Sequence, residues 1–196
     1  MSGFTHLHVA SAFSGHYGVT RPETMAEAVA ASGSSALAIT DRDGLYGSVK
    51  HIGACLKLGI SPIAGVDLAI LDESGSVLAR SVILAHGQNV GKGWSKLCAI
   101  VSAAHSSRSK SGQMRKEAQI GIKRSELARL LAEDGGCTVL IGPDSDVGRA
   151  VLSGPKQLAS SLLSSWREMF RHPATLGVEI VSHLTEPGTA YSTEQA

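Results

Sequence analysis

The chain has 196 residues, with 18 Lys and Arg against 17 Asp and Glu, and a formal net charge of +1. Hydrophobic residues make up 43% and charged residues 18%, which excludes a disordered, highly charged chain and gives no bulk electrostatic case for nucleic acid. The length allows one domain with a real core, and with only 4% aromatic residues that core must be filled by Ala, Val, Leu and Ile.

Taken in chain order, Phe4 to Val9 alternates and predicts a strand. Thr20-Arg21-Pro22-Glu23 predicts a helix start, with Thr20 as the cap, Pro22 in the first turn and Glu23 three after the cap; the helix stops near Gly33. Ala36 to Thr40 is a short apolar run, as in a strand covered on both faces. Gly47 to Leu58 predicts a helix ended by Gly59, and Ser61 to Leu68 and Val77 to Ala85 predict strands. Trp94 to Ala104 and Arg124 to Glu133 have helical period, the latter stopping at Gly135-Gly136. Thr138 to Ile141 predicts a strand, Asp146 to Leu152 and Pro155 to Phe170 two helices, and Leu176 to Val181 a last strand.

Strands alternating with helices imply an α/β fold with a mainly parallel sheet of roughly six strands. A complete (β/α) barrel takes about 250 residues, so the expectation is an open sheet or a barrel lacking its last units. Residues 1–185 are expected to form the domain and 186–196 a frayed tail or the start of a missing remainder. The segment Ser106 to Lys123 is polar and basic, with Arg108, Lys110, Arg115 and Lys116. It reads as a solvated loop or, alternatively, as a contact to a nucleic-acid backbone without a base-stacking platform.

Cys55, Cys98 and Cys137 lie far apart with no CxxC pair, as expected of reduced thiols in a cytoplasmic protein. No signal peptide is recognisable, and no apolar run approaches the roughly 20 residues needed to cross a bilayer, so no membrane partner is expected.

The residues able to carry chemistry cluster early. On a strand, His6 and His8 would share one face, and neutral imidazoles suit zinc and similar metals; two ordinary polar residues on a half-exposed strand are the alternative. Asp41 and Asp43 follow the second strand, where parallel α/β folds build sites, and serve either a ligand or a turn. Asp67, an acid inside an apolar run, requires a partner. His16 and Tyr17 lie in the loop after the first strand and can reach the same mouth. No phosphate-cradling glycine loop, G-x-S-x-G elbow or HExxH is present, and no residue is assigned as catalytic.

Read in order, Phe4-Thr5-His6-Leu7-His8, Ser14 and Gly18, Ala36 to Asp41, Gly44-Leu45-Tyr46-Gly47 and Gly65-Val66-Asp67-Leu68 resemble the N-terminal polymerase-and-histidinol-phosphatase (PHP) domain of bacterial DNA polymerase III alpha subunits. The similarity is strongest to the error-prone, damage-tolerance type found in actinobacteria. It continues through Leu84-Ala85, Leu97-Cys98, Val101 to His105, Trp166-Arg167-Glu168 and Gly177-Val178-Glu179-Ile180, and so covers nearly the whole chain.

The resemblance implies a distorted (β/α) barrel, here incomplete at its C-terminal end, with a metal cluster at its mouth. Where intact, that cluster supports a phosphoesterase or 3′–5′ proofreading exonuclease using zinc, manganese or magnesium. His6 and His8 fall on the first ligand pair and Asp67 on the acidic ligand, with His16 and Glu179 as additional candidates. Four positions depart from the family pattern. Tyr17 stands for an Asp, Arg42 and Arg80 for His residues, and Pro143 for a Cys, and the last ligand pair would fall beyond Ala196.

Arginine cannot ligate a cation and keeps its charge. The expectation is therefore a degenerate site without a cofactor, salt-bridged through Asp41, Asp43 or Asp67. The domain would have a structural or interaction role, its partners being the rest of a polymerase or other replication and repair proteins, and DNA through that polymerase. An active metal-dependent phosphoesterase or exonuclease is the alternative. A stand-alone α/β binding module fits the ordered matches poorly. The palm carboxylates of such a polymerase would lie far downstream, so the chain is expected to be a piece of, or a shortened product from, a longer protein.

Overall fold

The computed structural model describes residues 4–87, 91–106, 120–132, 136–170 and 175–181. Helix α1 covers Pro22–Ala31, strand β1 Ala36–Arg42, helix α2 Ser48–Leu58, strands β2 Ser61–Leu71 and β3 Val77–Ala85, and helix α3 Lys92–Ser106. Then come β4 Gly121–Lys123, α4 Arg124–Leu131, β5 Cys137–Ile141, α5 Asp146–Ser153, α6 Lys156–Met169 and β6 Leu176–Val178.

The expected alternation of strands and helices is present, with one reversal. β1 pairs parallel with β2, and β5 parallel with β6, but β3 is antiparallel to both β2 and β5. The path runs β1-β2-β3-β5-β6, and β4 pairs β2 beyond the point where β1 ends. The reversal has a local cause. β2 and β3 form a hairpin, its turn held by Asp72 Oδ1 accepting from the Ser76 N–H at 2.8 Å and by Gly75 at φ 91°. Strand β4, only three residues long, offers too short a stretch for any periodicity to announce it.

The predicted strand over Phe4 to Val9 does not form. This segment runs beside β1, giving the His6 and Val9 carbonyls to the Ala38 and Thr40 N–H groups, and it bends at His8. The Thr40 hydroxyl accepts from the Val9 N–H at 2.8 Å, a place a ladder carbonyl would otherwise hold. Nor does Thr20 cap α1. The cap position is Arg21, without a side-chain bond, and Thr20 uses its carbonyl to accept from the Ala12 N–H. Pro22 opens the helix, where its missing N–H costs nothing.

The two sheet faces bury different sets. Val66, Leu68 and Ile70 of β2, Ile83 of β3 and Val139 of β5 face a layer built from Leu97, Ile100, Leu127, Leu131 and Trp166 on the helices. On the other face, Ala38, Val82, Leu84 and Leu140 pack together with Ile63. α1 and α2 cover a third cluster around Ala26, Leu37, Cys55 and Ile60. Period-two geometry carries the second face along a register row, Arg42 beside Asp67, Asp67 beside Val82, Val82 beside Leu140 and Leu140 beside Gly177. Polar residues therefore continue the face that the Val82–Leu140 cluster begins. Among the described residues the strand path has two ends, β1 and β6, and no barrel closure by strand pairing. A side-chain bond between His8, next to β1, and Glu179, just after β6, brings those ends together.

Candidate functional site

At the polar end of that row lies a cleft of about 730 Å³. Its lining includes His6, His8, Tyr17, Arg42, Asp67, Arg80, Pro143 and Glu179, and also Asp144. The structure thus brings together residues as far apart in the chain as His6 and Glu179. Five successive residues, Phe4 to His8, line it, so Thr5 and Leu7 stand at the same cleft as the two histidines instead of facing away as strand alternation would put them, while Val9 packs against the α1 and α2 cluster. His16 does not line the cleft; it is exposed, in the left-handed region at φ 69°. Arg108, Lys110, Arg115 and Lys116 lie outside the described residues.

The centre of the cleft is a set of ion pairs. Arg80 projects from β3 with its side chain 11% exposed. Its Nε donates to Asp67 Oδ1 at 3.0 Å, and its Nη2 donates to Asp43 Oδ1 at 2.8 Å and to the Asp67 carbonyl at 2.9 Å. Arg42 Nε lies 3.8 Å from the other carboxylate oxygen, Asp67 Oδ2. The Arg42 guanidinium also stacks on Tyr17, 3.8 Å from the ring centroid. The partner that Asp67 needed is therefore arginine, on both of its oxygens.

Asp43 occupies the left-handed region at φ 59° and is held from three sides. Its N–H donates to the Asp67 carbonyl, its carboxylate takes Arg80, and its own carbonyl lies 2.7 Å from His105 Nε2 at the end of α3. Of the three acids expected to pair with the arginines in one combination or another, Asp43 and Asp67 do so and Asp41 turns away. It is 2% exposed and accepts from the Ser11 N–H, the Ser11 hydroxyl and the Ser14 hydroxyl, each at 2.8 Å. The Ser14 hydroxyl in turn accepts from the Arg42 N–H at 2.9 Å, so one buried carboxylate fixes the loop that carries Tyr17. Ser11 was not singled out by the sequence, and Ser14 and His105 entered only as motif positions without a role, because their partners lie 27 to 62 positions away and leave no local pattern.

On the far side, His8 Nδ1 and Glu179 Oε1 are 2.8 Å apart. Burial works against a positive His8, but the hydrogen bond and charge of Glu179 outweigh it and raise the imidazole pKa. Gly142 makes room for this pair, since a Cβ there would sit 2.4 Å from Glu179 Oε2. His6 is exposed, packed edge-on against Phe4 with ring centroids 4.9 Å apart. Among the described residues no group of three or more His, Cys, Asp and Glu is disposed to hold a metal ion. The carboxylate oxygens of Asp67 face guanidinium groups, and His8 is engaged by Glu179.

His51 is buried elsewhere, its Nε2 3.0 Å from the Leu37 carbonyl, and burial lowers its pKa. The three cysteines are free thiols. Among the described residues no helix is long and apolar enough to cross a membrane.

DNA polymerase III subunit alpha of Pseudomonas aeruginosa is 31% identical over 179 residues, covering 90% of this chain and 14% of that protein. The error-prone DNA polymerase of Mycobacterium bovis is 28% identical over 189 residues, covering 92% of this chain and 16% of that one. The chain thus spans about one-seventh of the length of the curated relatives it matches, in their N-terminal region. A solved amidohydrolase from Chromobacterium violaceum superposes over 84% of this chain and 74% of its own, at 15% identity and a TM-score of 0.49. The family model described as the PHP domain matches residues 6–183, from the first cleft histidine to just past the last strand, and the chain belongs to that family.

Proposed function

We propose that this PHP domain is the N-terminal, non-catalytic part of a DNA polymerase III alpha-like polymerase of the error-prone, repair and translesion type. Its role is to support the polymerase and to contact other parts of it. The observation that carries this reading of the cleft is the engagement of Asp67 by Arg80 and Arg42. A carboxylate held by two permanent cations offers little to a third, and each arginine repels an ion at close range. His8 is committed to Glu179 in the same way. What remains is a packed, ion-paired cleft suited to holding a scaffold. The polymerase assignment is supported by relatives that are themselves alpha subunits and error-prone polymerases.

The test uses the purified chain and a His8→Ala control. Elemental analysis is expected to find zinc, manganese and magnesium well below one per chain, and incubation with a 3′-mismatched primer is expected to leave the primer intact. Stoichiometric zinc or manganese that disappears in His8→Ala, with shortening of the primer, would establish the phosphoesterase or exonuclease instead. For the polymerase part, the coding sequence directly downstream is expected to supply palm carboxylates, and a free-standing reading frame without them would overturn it.

A further inference from the structure

We infer that the solvent face of helices α1 and α2 is a self-complementary docking surface, on which a second copy of this chain seats with α2 of each copy against α1 of the other. The inference goes beyond the role proposed for the cleft, whose lining includes no residue of either helix.

The two helices lie side by side over one apolar cluster, with Ala26 of α1 and Cys55 of α2 buried in it, so their opposite faces look outward together. Those outward faces are unlike. On α2, Val49 is 76% exposed and Leu56 66%. With Lys50, Gly53 and Lys57 they fall at i, i+1, i+4, i+7 and i+8, one stripe of the helix. No acid occurs anywhere in α2. On α1 the outward positions are Thr24, Glu27, Ala28 and Ala31, small side chains and an acid, and no base occurs anywhere in that helix. Large apolar groups and lysines on one helix thus complement small side chains and a carboxylate on the other. Within one chain the two faces cannot meet, because both point to solvent. A two-fold pair brings them together twice, which is the self-matching that an isologous interface requires. Lys50 also rests near the Phe13 ring, its Nζ 5.6 Å from the centroid. Among the described residues neither Glu27 nor Lys57 has an ion-pair partner.

Gly53 is a separate sign of the same contact. Glycine inside a helix is less stable than alanine, so its presence needs a reason. A Cβ built there would meet nothing within 4 Å, so no packing inside the chain excludes one. Gly53 lies between Val49 and Leu56 on the stripe and leaves a notch there, of the kind into which the ridge of a facing helix fits. Two helices of 10 and 11 residues present a face about 16 Å by 20 Å, small for a permanent dimer. The association is therefore weak and reversible, with a dissociation constant on the order of 10–100 µM.

The experiment is sedimentation velocity on the full chain at low salt, over roughly 5 to 500 µM. The wild-type sedimentation coefficient is expected to rise from the monomer value toward the dimer value across that range. Leu56→Asp changes an exposed position, so its circular dichroism is expected to match wild type while the pair weakens at least about tenfold. The variant Lys50→Glu with Lys57→Glu, and the variant Glu27→Lys, are each expected to self-associate about tenfold more weakly. An equimolar mixture of these two is expected to recover the wild-type strength, because in the mixed pair every contact again joins opposite charges. Gly53→Ala is expected to melt about 2–4 °C higher as a monomer and to pair several-fold more weakly. A chain monomeric across the whole range, a mixture that associates no better than its components, or a dimer indifferent to Leu56→Asp or to Gly53→Ala would overturn the inference.

Discussion

Asp41→Ala offers the sharpest probe of how the cleft is built, because its magnitude follows from contacts already described. The carboxylate is 2% exposed and accepts three hydrogen bonds at 2.8 Å, from the Ser11 N–H and the Ser11 and Ser14 hydroxyls. A hydrogen bond to a charged group contributes about 1.5–3 kcal/mol, so simple addition gives roughly 5–9 kcal/mol. That sum is an upper bound, since removing the acid also relieves the cost of burying it and the two hydroxyls can find other acceptors. The Ser11 N–H cannot, because it is fixed in the chain. The expected loss is therefore about 3–5 kcal/mol, or roughly 6–20 °C in Tm for a domain of this size.

The assay is urea unfolding followed by tryptophan fluorescence. Because Ser14 also accepts from the Arg42 N–H, a double-mutant cycle of Asp41→Ala with Ser14→Ala should show a coupling of about 1 kcal/mol or more. A loss below about 1 kcal/mol for Asp41→Ala would refute the claim that one buried carboxylate anchors the loop bearing Tyr17.

Two further predictions concern histidines. His51 is held neutral by burial, with its pKa below the ordinary 6.5. Above about pH 6.5 neither state charges it; as pH falls, the unfolded chain takes up the proton first, so stability is present above 6.5 and declines through the folded value. Urea midpoints measured between pH 8 and pH 5 should fall, and more steeply for the wild-type chain than for His51→Gln; equal slopes would show that His51 is not responsible. His8 runs the other way. Its raised pKa means the Glu179 pair stabilises fully below about 6.5 and is lost as pH rises through the folded value, a small effect because the imidazole is 39% exposed. Gly142→Ala would push a Cβ into Glu179 Oε2, whose flexible side chain gives way, so the His8 pKa followed by NMR should fall back toward 6.5. An unchanged titration would mean that the pair tolerates the methyl group.

Much of this architecture is local, and local chemistry is legible in a sequence. The strand predicted over Val77 to Ala85 has those bounds in the fold, Gly59 ends α2 at φ 71° as a left-handed cap should, and α5 starts at Asp146 where its pattern begins. The motifs around His6, Asp41 and Asp67 were enough to suggest the family. Pairing was not legible. The reversal of β3 depends on a hairpin and on which neighbour each edge meets, and β4 is defined only by lying beside β2. The Phe4 to Val9 alternation promised a strand, but Thr40 supplies a side-chain acceptor where a ladder would need a carbonyl, and the segment bends.

The same division holds in the cleft. That an acid at position 67 and arginines at 42 and 80 must find opposite charges follows from composition and burial alone. Which acid each arginine takes is settled by where β1, β2 and β3 stand in register. That register placed Arg80 between Asp67 and Asp43, left Asp41 to two serines, and carried Glu179 across the open end of the sheet to His8. Residue type dictates the need for a partner; only the fold brings the partner within 3 Å, because hydrogen bonds are short and the residues that make them here are far apart along the chain.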